Sequence, residues 1–158
     1  MTKLLLSLHV LAAIITVGPV AVAASMFPAT LRRALGDSGD GDARTTLRTL
    51  HRICRVYAGI GIAVPLFGFA TASSLGVLGS PWLVISILLT GVAAGVLVLL
   101  ILPAQDRALA ETASSAAPSP TATSLTPGRL AMLTGVFNLL WATVTVLMII
   151  RPGSTTGV

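Results

Sequence analysis

Charge is what this chain has least of. Asp, Glu, Lys and Arg together make up 9% of its 158 residues, where a soluble domain carries about 25%. Cysteine occurs once, at Cys54, so no disulfide framework is possible within the chain. The five acidic residues, Asp37, Asp40, Asp42, Asp106 and Glu111, all lie outside the long apolar stretches. There is accordingly no paired carboxylate, no nucleophile beside a base and an orienting acid, no zinc-type Cys and His cluster and no phosphate-cradling glycine loop. These absences argue against an enzyme, and the lack of an acidic residue within the apolar stretches argues against proton-coupled transport.

Apolar residues fill the space that charge leaves: 54% of the chain is hydrophobic and the mean hydropathy is +0.94. They gather into four blocks, at Leu4–Phe27, Val56–Leu78, Trp82–Leu102 and Leu130–Ile150, none containing Asp, Glu, Lys or Arg. Each is close to the roughly 20 residues that cross about 30 Å of hydrocarbon. In hydrocarbon every backbone N–H and C=O must be paired, so such blocks are helices or strands of a closed barrel. Barrel strands are shorter and alternate apolar with polar residues, and these blocks do not. The expected fold is an all-α polytopic membrane protein, a four-transmembrane-helix bundle forming one membrane domain over residues 1–158.

Lys3, the apolar run after it and Ala21-Val22-Ala23 have the form of a signal peptide with a cleavage site. Cleavage would export the Arg-rich segment that follows, against the positive-inside tendency, so the block is expected to stay as span one. Arg32, Arg33, Arg44, Arg48, Arg52 and Arg55 follow span one and Arg107 and Arg129 follow span three, whereas the other side holds only Lys3 and Arg151. This bias predicts cytoplasmic loops at 28–55 and 103–129, both termini outside, and a bacterial cytoplasmic membrane. The net charge of +5 then lies beside an anionic inner leaflet and implies a lipid partner, with no nucleic acid.

Within the first loop, Gly36 is a helix stop. The run from Asp37 to Asp42 lacks the alternation and the closing Glu of a calcium loop, and reads as a solvated turn. From Ala43 to Tyr57 the spacing predicts a helix leading into span two. Arg44, Arg48, Arg52 and Arg55 share one of its faces, as an anionic-lipid contact or as a site for a partner or anionic ligand. The second loop begins with an amphiphilic stretch, Gln105 to Glu111, and continues as an Ala-, Ser-, Thr- and Pro-rich tether. The uncharged turn Gly79-Ser80-Pro81 makes spans two and three antiparallel neighbours.

Few residues inside the spans can carry chemistry. At about 1.5 Å per residue, Pro19, Pro65 and Asn138 all lie about 12–13 Å from the basic ends of their spans. Gly91 and Gly95, a GxxxG pair in span three, bracket a similar depth. Each proline leaves a carbonyl one turn earlier, at Ile15 and Gly61, to be satisfied by a Thr, a water or Asn138. The layer reads either as ordinary helix packing, with the glycines joining helices within or between copies, or as a hydrated cavity serving permeation by an oligomer. His9 lies about 8 Å from the opposite end of span one. It reads as an interfacial side chain or as a ligand of haem or copper, with Met148 within possible reach and His51 on the wrong side of the bilayer.

The run Leu8-His9-Val10-Leu11-Ala12-Ala13 with Gly18, and the later Leu50-His51-Arg52-Ile53 with Tyr57-Ala58-Gly59, resemble an uncharacterised family of small four-span bacterial integral membrane proteins. More distantly, the first of these runs resembles that of copper-resistance D-type and haem-binding membrane proteins. The first resemblance implies a four-span protein without assigned activity. The second implies a ligand role for His9 alone.

Overall fold

The computed structural model describes residues 1–36, 40–113 and 126–153. Its elements are α1 (Thr2–Gly36), α2 (Gly41–Ile60), α3 (Ala63–Leu75), α4 (Pro81–Gly95), a π-helical segment (Val96–Ile101), α5 (Leu102–Ala113) and α6 (Pro127–Ile150). The pair α2–α3 forms one long rod and α4, the π segment and α5 form another, so four helices are long and apolar enough to cross a membrane. The start of α1, the end of α6 and the α3–α4 turn lie at one end of the bundle, here the terminal end. Eight of the ten basic residues belong to the opposite, basic end.

The rods are longer than a bilayer requires. α1 has 35 residues, about 52 Å at the ordinary helical rise against about 30 Å of hydrocarbon. The second rod has 35 residues and the third 33, whereas α6 has 24. The excess sits at the charged end, where water accepts it. Segments 28–55 and 103–129 are therefore helical over most of their described length, the continuation of three spans past the membrane boundary. α1 stops at Gly36 as expected, and α2 begins earlier than expected. Asp40 caps it, its Oδ1 accepting from the Ala43 N–H at 2.8 Å. Residues 37–39 of the acidic run and the tether over 114–125 lie outside the described residues.

α1 is the central rod: it packs along α2, α3 and α6, while α4 packs along α6 and α5 along α2. The main core lies toward the basic end and includes Phe27, Leu31, Leu47, Cys54, Ile101 and Phe137. Ala23, the last residue of the signal-like Ala21-Val22-Ala23, and Ala24 after it are 2% and 0% exposed within that core. A second, smaller core of Ala72, Trp82 and Leu83 with Val77 and Met148 closes the terminal end. There Gly76 ends α3 at φ 68°, a left-handed geometry that suits glycine, and Pro81 starts α4 in the first turn, where no N–H is needed. Arg151 lies 5.7 Å from the Trp82 ring centroid and caps α6.

Spans two and three are antiparallel, but α3 and α4 touch only sparsely. They meet beside the turn, through Ala72 with Trp82 and Leu83, and again at the basic end, where α2 packs on α5. Between those points they part.

Candidate functional site

A cavity of about 390 Å³ occupies the space where spans two and three part, with α1 and α6 completing its walls. Its position follows from two breaks in helical regularity. The sequence Gly59-Ile60-Gly61-Ile62-Ala63-Val64-Pro65 ends α2 and restarts the helix at Ala63, so Pro65 falls in the first turn of α3, where its missing N–H costs nothing. Gly61 suits the join because a Cβ there would lie 3.1 Å from the Tyr57 carbonyl and 3.2 Å from that of Ala58. On the facing rod, the π segment widens the backbone just before Pro103, and the Leu102 N–H reaches back to the Leu97 carbonyl. A wider turn relieves the clash between a proline ring and the carbonyl four residues earlier. Gly61, Ile62 and Pro65 line the cavity from one rod, and Leu97 and Val98 from the other.

The lining is overwhelmingly apolar, and its polar members are unequal. Thr16 and Thr90 donate to the Ala12 and Ser86 carbonyls of their own helices. Arg55 supplies the one formal charge on the lining. Trp141, edge-on to Phe137 at 6.3 Å, also lines it, and its indole N–H is buried without an acceptor among the described residues.

Pro65 belongs to this wall, whereas Pro19 and Asn138 do not line it. The Gly61 carbonyl, expected to seek a partner on another helix, accepts instead from the Val64 N–H at 3.0 Å. Asn138 donates to Ser25 Oγ at 3.1 Å and so ties α6 to α1. α1 runs unbroken through Pro19 and Pro28.

His9 is half-buried against α3, and its Nδ1 lies 2.9 Å from the Val64 carbonyl. A carbonyl only accepts, so Nδ1 carries a proton. The ring rests on Gly68, where a Cβ would lie 2.9 Å from His9 Cε1. The sequence places a histidine in span one, but its role as a strap between spans one and two required the fold. Met148 packs in the Trp82 cluster. No group of three or more His, Cys, Asp and Glu that could hold a metal forms among the described residues.

At the basic end the fold assembles a cluster that sequence reasoning missed. His51 Nδ1 donates to Gln105 Oε1 at 3.0 Å, and Gln105 Nε2 lies 3.7 Å from Cys54 Sγ. His51 Nε2 is 3.0 Å from Asp106 Oδ1, an ion-pair distance, though the carboxylate lies off the line of the N–H. Gln105 and Cys54 are fully buried and His51 nearly so, and the group bolts α2 to α5. A signal existed: His51 and Cys54 stand three apart on one helix, and Gln105 is the one amide side chain of the second loop.

Of the basic face, Arg48, Arg52 and Arg55 are exposed and Arg44 is partly buried. Gly91 is exposed and Gly95 half-exposed, and a Cβ on either would meet no atom within 4 Å. Neither glycine is a point of close helix approach among the described residues.

No curated protein and no solved structure matches the chain, and a likeness to copper-resistance D-type and haem-binding proteins is not shown. A family model does match, over residues 3–152, nearly the whole length. With its four apolar helices, the chain belongs to the family of predicted integral membrane proteins designated DUF2269.

Proposed function

We propose that the protein is a non-enzymatic accessory or scaffold subunit of a bacterial cytoplasmic membrane, assembling through span three with a second transmembrane helix from another copy or a partner. One observation carries this reading. Gly91 and Gly95 sit on an open surface beside Leu88 and Val92, which are 65% and 54% exposed. In lipid, helices associate by close packing at small residues rather than by a hydrophobic drive, and a GxxxG pair that meets no other helix among the described residues is available for that purpose.

The same placement makes the test selective. Since no described atom lies within 4 Å of a Cβ built at either glycine, Gly91→Leu and Gly95→Leu are expected to leave the monomer fold intact while blocking close approach from outside. Single-molecule photobleaching in vesicles, or cross-linking in native membranes, is expected to show association in the parent and its loss in both variants. Variants that associate like the parent would end this reading.

Orientation belongs to the same proposal: both termini outside and the basic end at an anionic inner leaflet. The up-and-down bundle gathers Arg32, Arg33, Arg44, Arg48, Arg52, Arg55, Arg107 and Arg129 at one end, as the positive-inside tendency requires. A membrane-impermeant thiol reagent on intact cells should label Gly79→Cys and spare Gly36→Cys, both in a Cys54→Ala background. The reverse pattern inverts the topology.

A further inference from the structure

We infer that the cavity between spans two and three is a binding site for one anionic membrane phospholipid, its acyl chain lying in the half-open slot between the helices and its phosphate held by Arg55. This is separate from assembly through the Gly91 face, and either can fail alone.

The volume is the first support. Small-molecule sites typically enclose about 300–1,000 Å³ behind mostly apolar walls with a few placed polar groups. This cavity, at about 390 Å³, lies in that range, and its aliphatic lining suits hydrocarbon rather than a polar solute. It is elongated along the bundle: on the second rod its lining begins at Arg55 and ends at Pro65, about 15 Å at the helical rise.

Charge complementarity selects the headgroup. Arg55 is the one formally charged residue of the lining and stands on the side nearest the basic end. No ion pair of Arg55 with an acid forms among the described residues. Arg52 and Arg48 continue the positive surface on the next turns of the same helix, both exposed. A guanidinium at the mouth of an apolar slot fits a phosphate on a hydrocarbon tail, because the fork of N–H donors takes an anionic oxygen pair while the aliphatic stem stays in the apolar layer.

Trp141 supplies an independent sign. Its buried N–H lacks an acceptor among the described residues, and buried donors are normally satisfied. It lines the same cavity as Arg55, deeper along the bundle, so an acyl chain in the slot lies against its ring. Both spans that form the slot lose α regularity beside it, one at Gly61–Ile62 and the other at Val96–Ile101, and π segments recur at functional sites. Without those breaks the two rods would close on each other.

The test uses the full-length protein in mild detergent, with Trp82→Phe leaving Trp141 as the fluorophore. Phosphatidylglycerol and phosphatidylcholine with the same brominated chains are titrated in at low lipid-to-protein ratio. Phosphatidylglycerol is expected to quench Trp141 near stoichiometry, and phosphatidylcholine to need about tenfold more. Arg55→Gln should abolish the difference and Arg55→Lys should retain part of it. Ala94→Phe, which fills the cavity wall, should weaken quenching by both lipids while the circular dichroism spectrum is unchanged. Equal quenching by both lipids in the parent, or an undiminished preference in Arg55→Gln, overturns the site. A brominated fatty acid that displaces phosphatidylglycerol at equal concentration overturns the assignment to phospholipid.

Discussion

The two ends of this bundle are held together differently. Toward the basic end, α1, α2, α5 and α6 enclose a continuous core, with Phe27, Leu47, Ile101 and Leu130 at 2% exposure or less, and a polar bolt from His51 through Gln105 to Cys54. At the terminal end the buried core shrinks to Ala72, Trp82 and Leu83, and His9 straps α1 to α3 by a single bond. Leu4, Ile14, Leu66, Leu88 and Ile149 there are exposed along their helices. Part of the difference follows the solvent: Leu31, Leu47, Leu50 and Ala104 lie beyond the four apolar blocks, where water drives apolar faces together at roughly 25 cal/mol per Å². Within lipid that drive is absent, and contact depends on packing and a few hydrogen bonds.

If so, truncation should cost most at the basic end. Phe27→Ala is expected to destabilise by about 3–5 kcal/mol, the usual cost of emptying a filled aromatic site. Leu83→Ala in the smaller core should cost clearly less. Unfolding in mixed micelles, followed by circular dichroism, checks the order, and equal costs would erase the distinction between the ends.

The polar bolt sharpens the comparison next. Gln105→Leu leaves the His51 Nδ1–H facing a hydrocarbon side chain and should cost about 1–3 kcal/mol. Adding His51→Phe should recover part of that loss, because removing both partners of a buried bond is milder than removing one. If the double variant is as unstable as the sum of the singles, the bond is not the link between α2 and α5.

Two smaller effects probe the strap. Gly68→Ala puts a methyl 2.9 Å from His9 Cε1, so the ring must leave Val64, at roughly 1–3 kcal/mol for overpacking. His9→Ala alone should cost only about 0.6 kcal/mol, the average for an interhelical hydrogen bond in a bilayer. Combined with His9→Ala, the Gly68→Ala change should be nearly silent, since nothing then occupies the space. Additive losses would show that Gly68 is constrained by some other contact.

Much of the architecture was legible beforehand, for a physical reason. Backbone pairing in hydrocarbon forces helices, so four uncharged apolar blocks could mean little else, and Gly36 and the helix across Arg44–Arg55 followed from local chemistry. What stayed hidden depended on which helix faces which. Pro65 was visible as a perturbation, but that Gly61 and Val64 absorb it locally, leaving Asn138 to Ser25, depends on where the chain restarts the helix. The tight turn suggested that spans two and three lie side by side, yet they part in the middle because both rods are irregular there.

Composition and charge placement by themselves determined a four-helix membrane protein with one basic end, because the bilayer tolerates so few alternatives. Only the tertiary structure decided that His9 and Val64, His51 and Gln105, and Arg55 and Trp141 share their sites. Those pairs lie tens of residues apart in the chain, and nothing local in a helix specifies the neighbour it will meet.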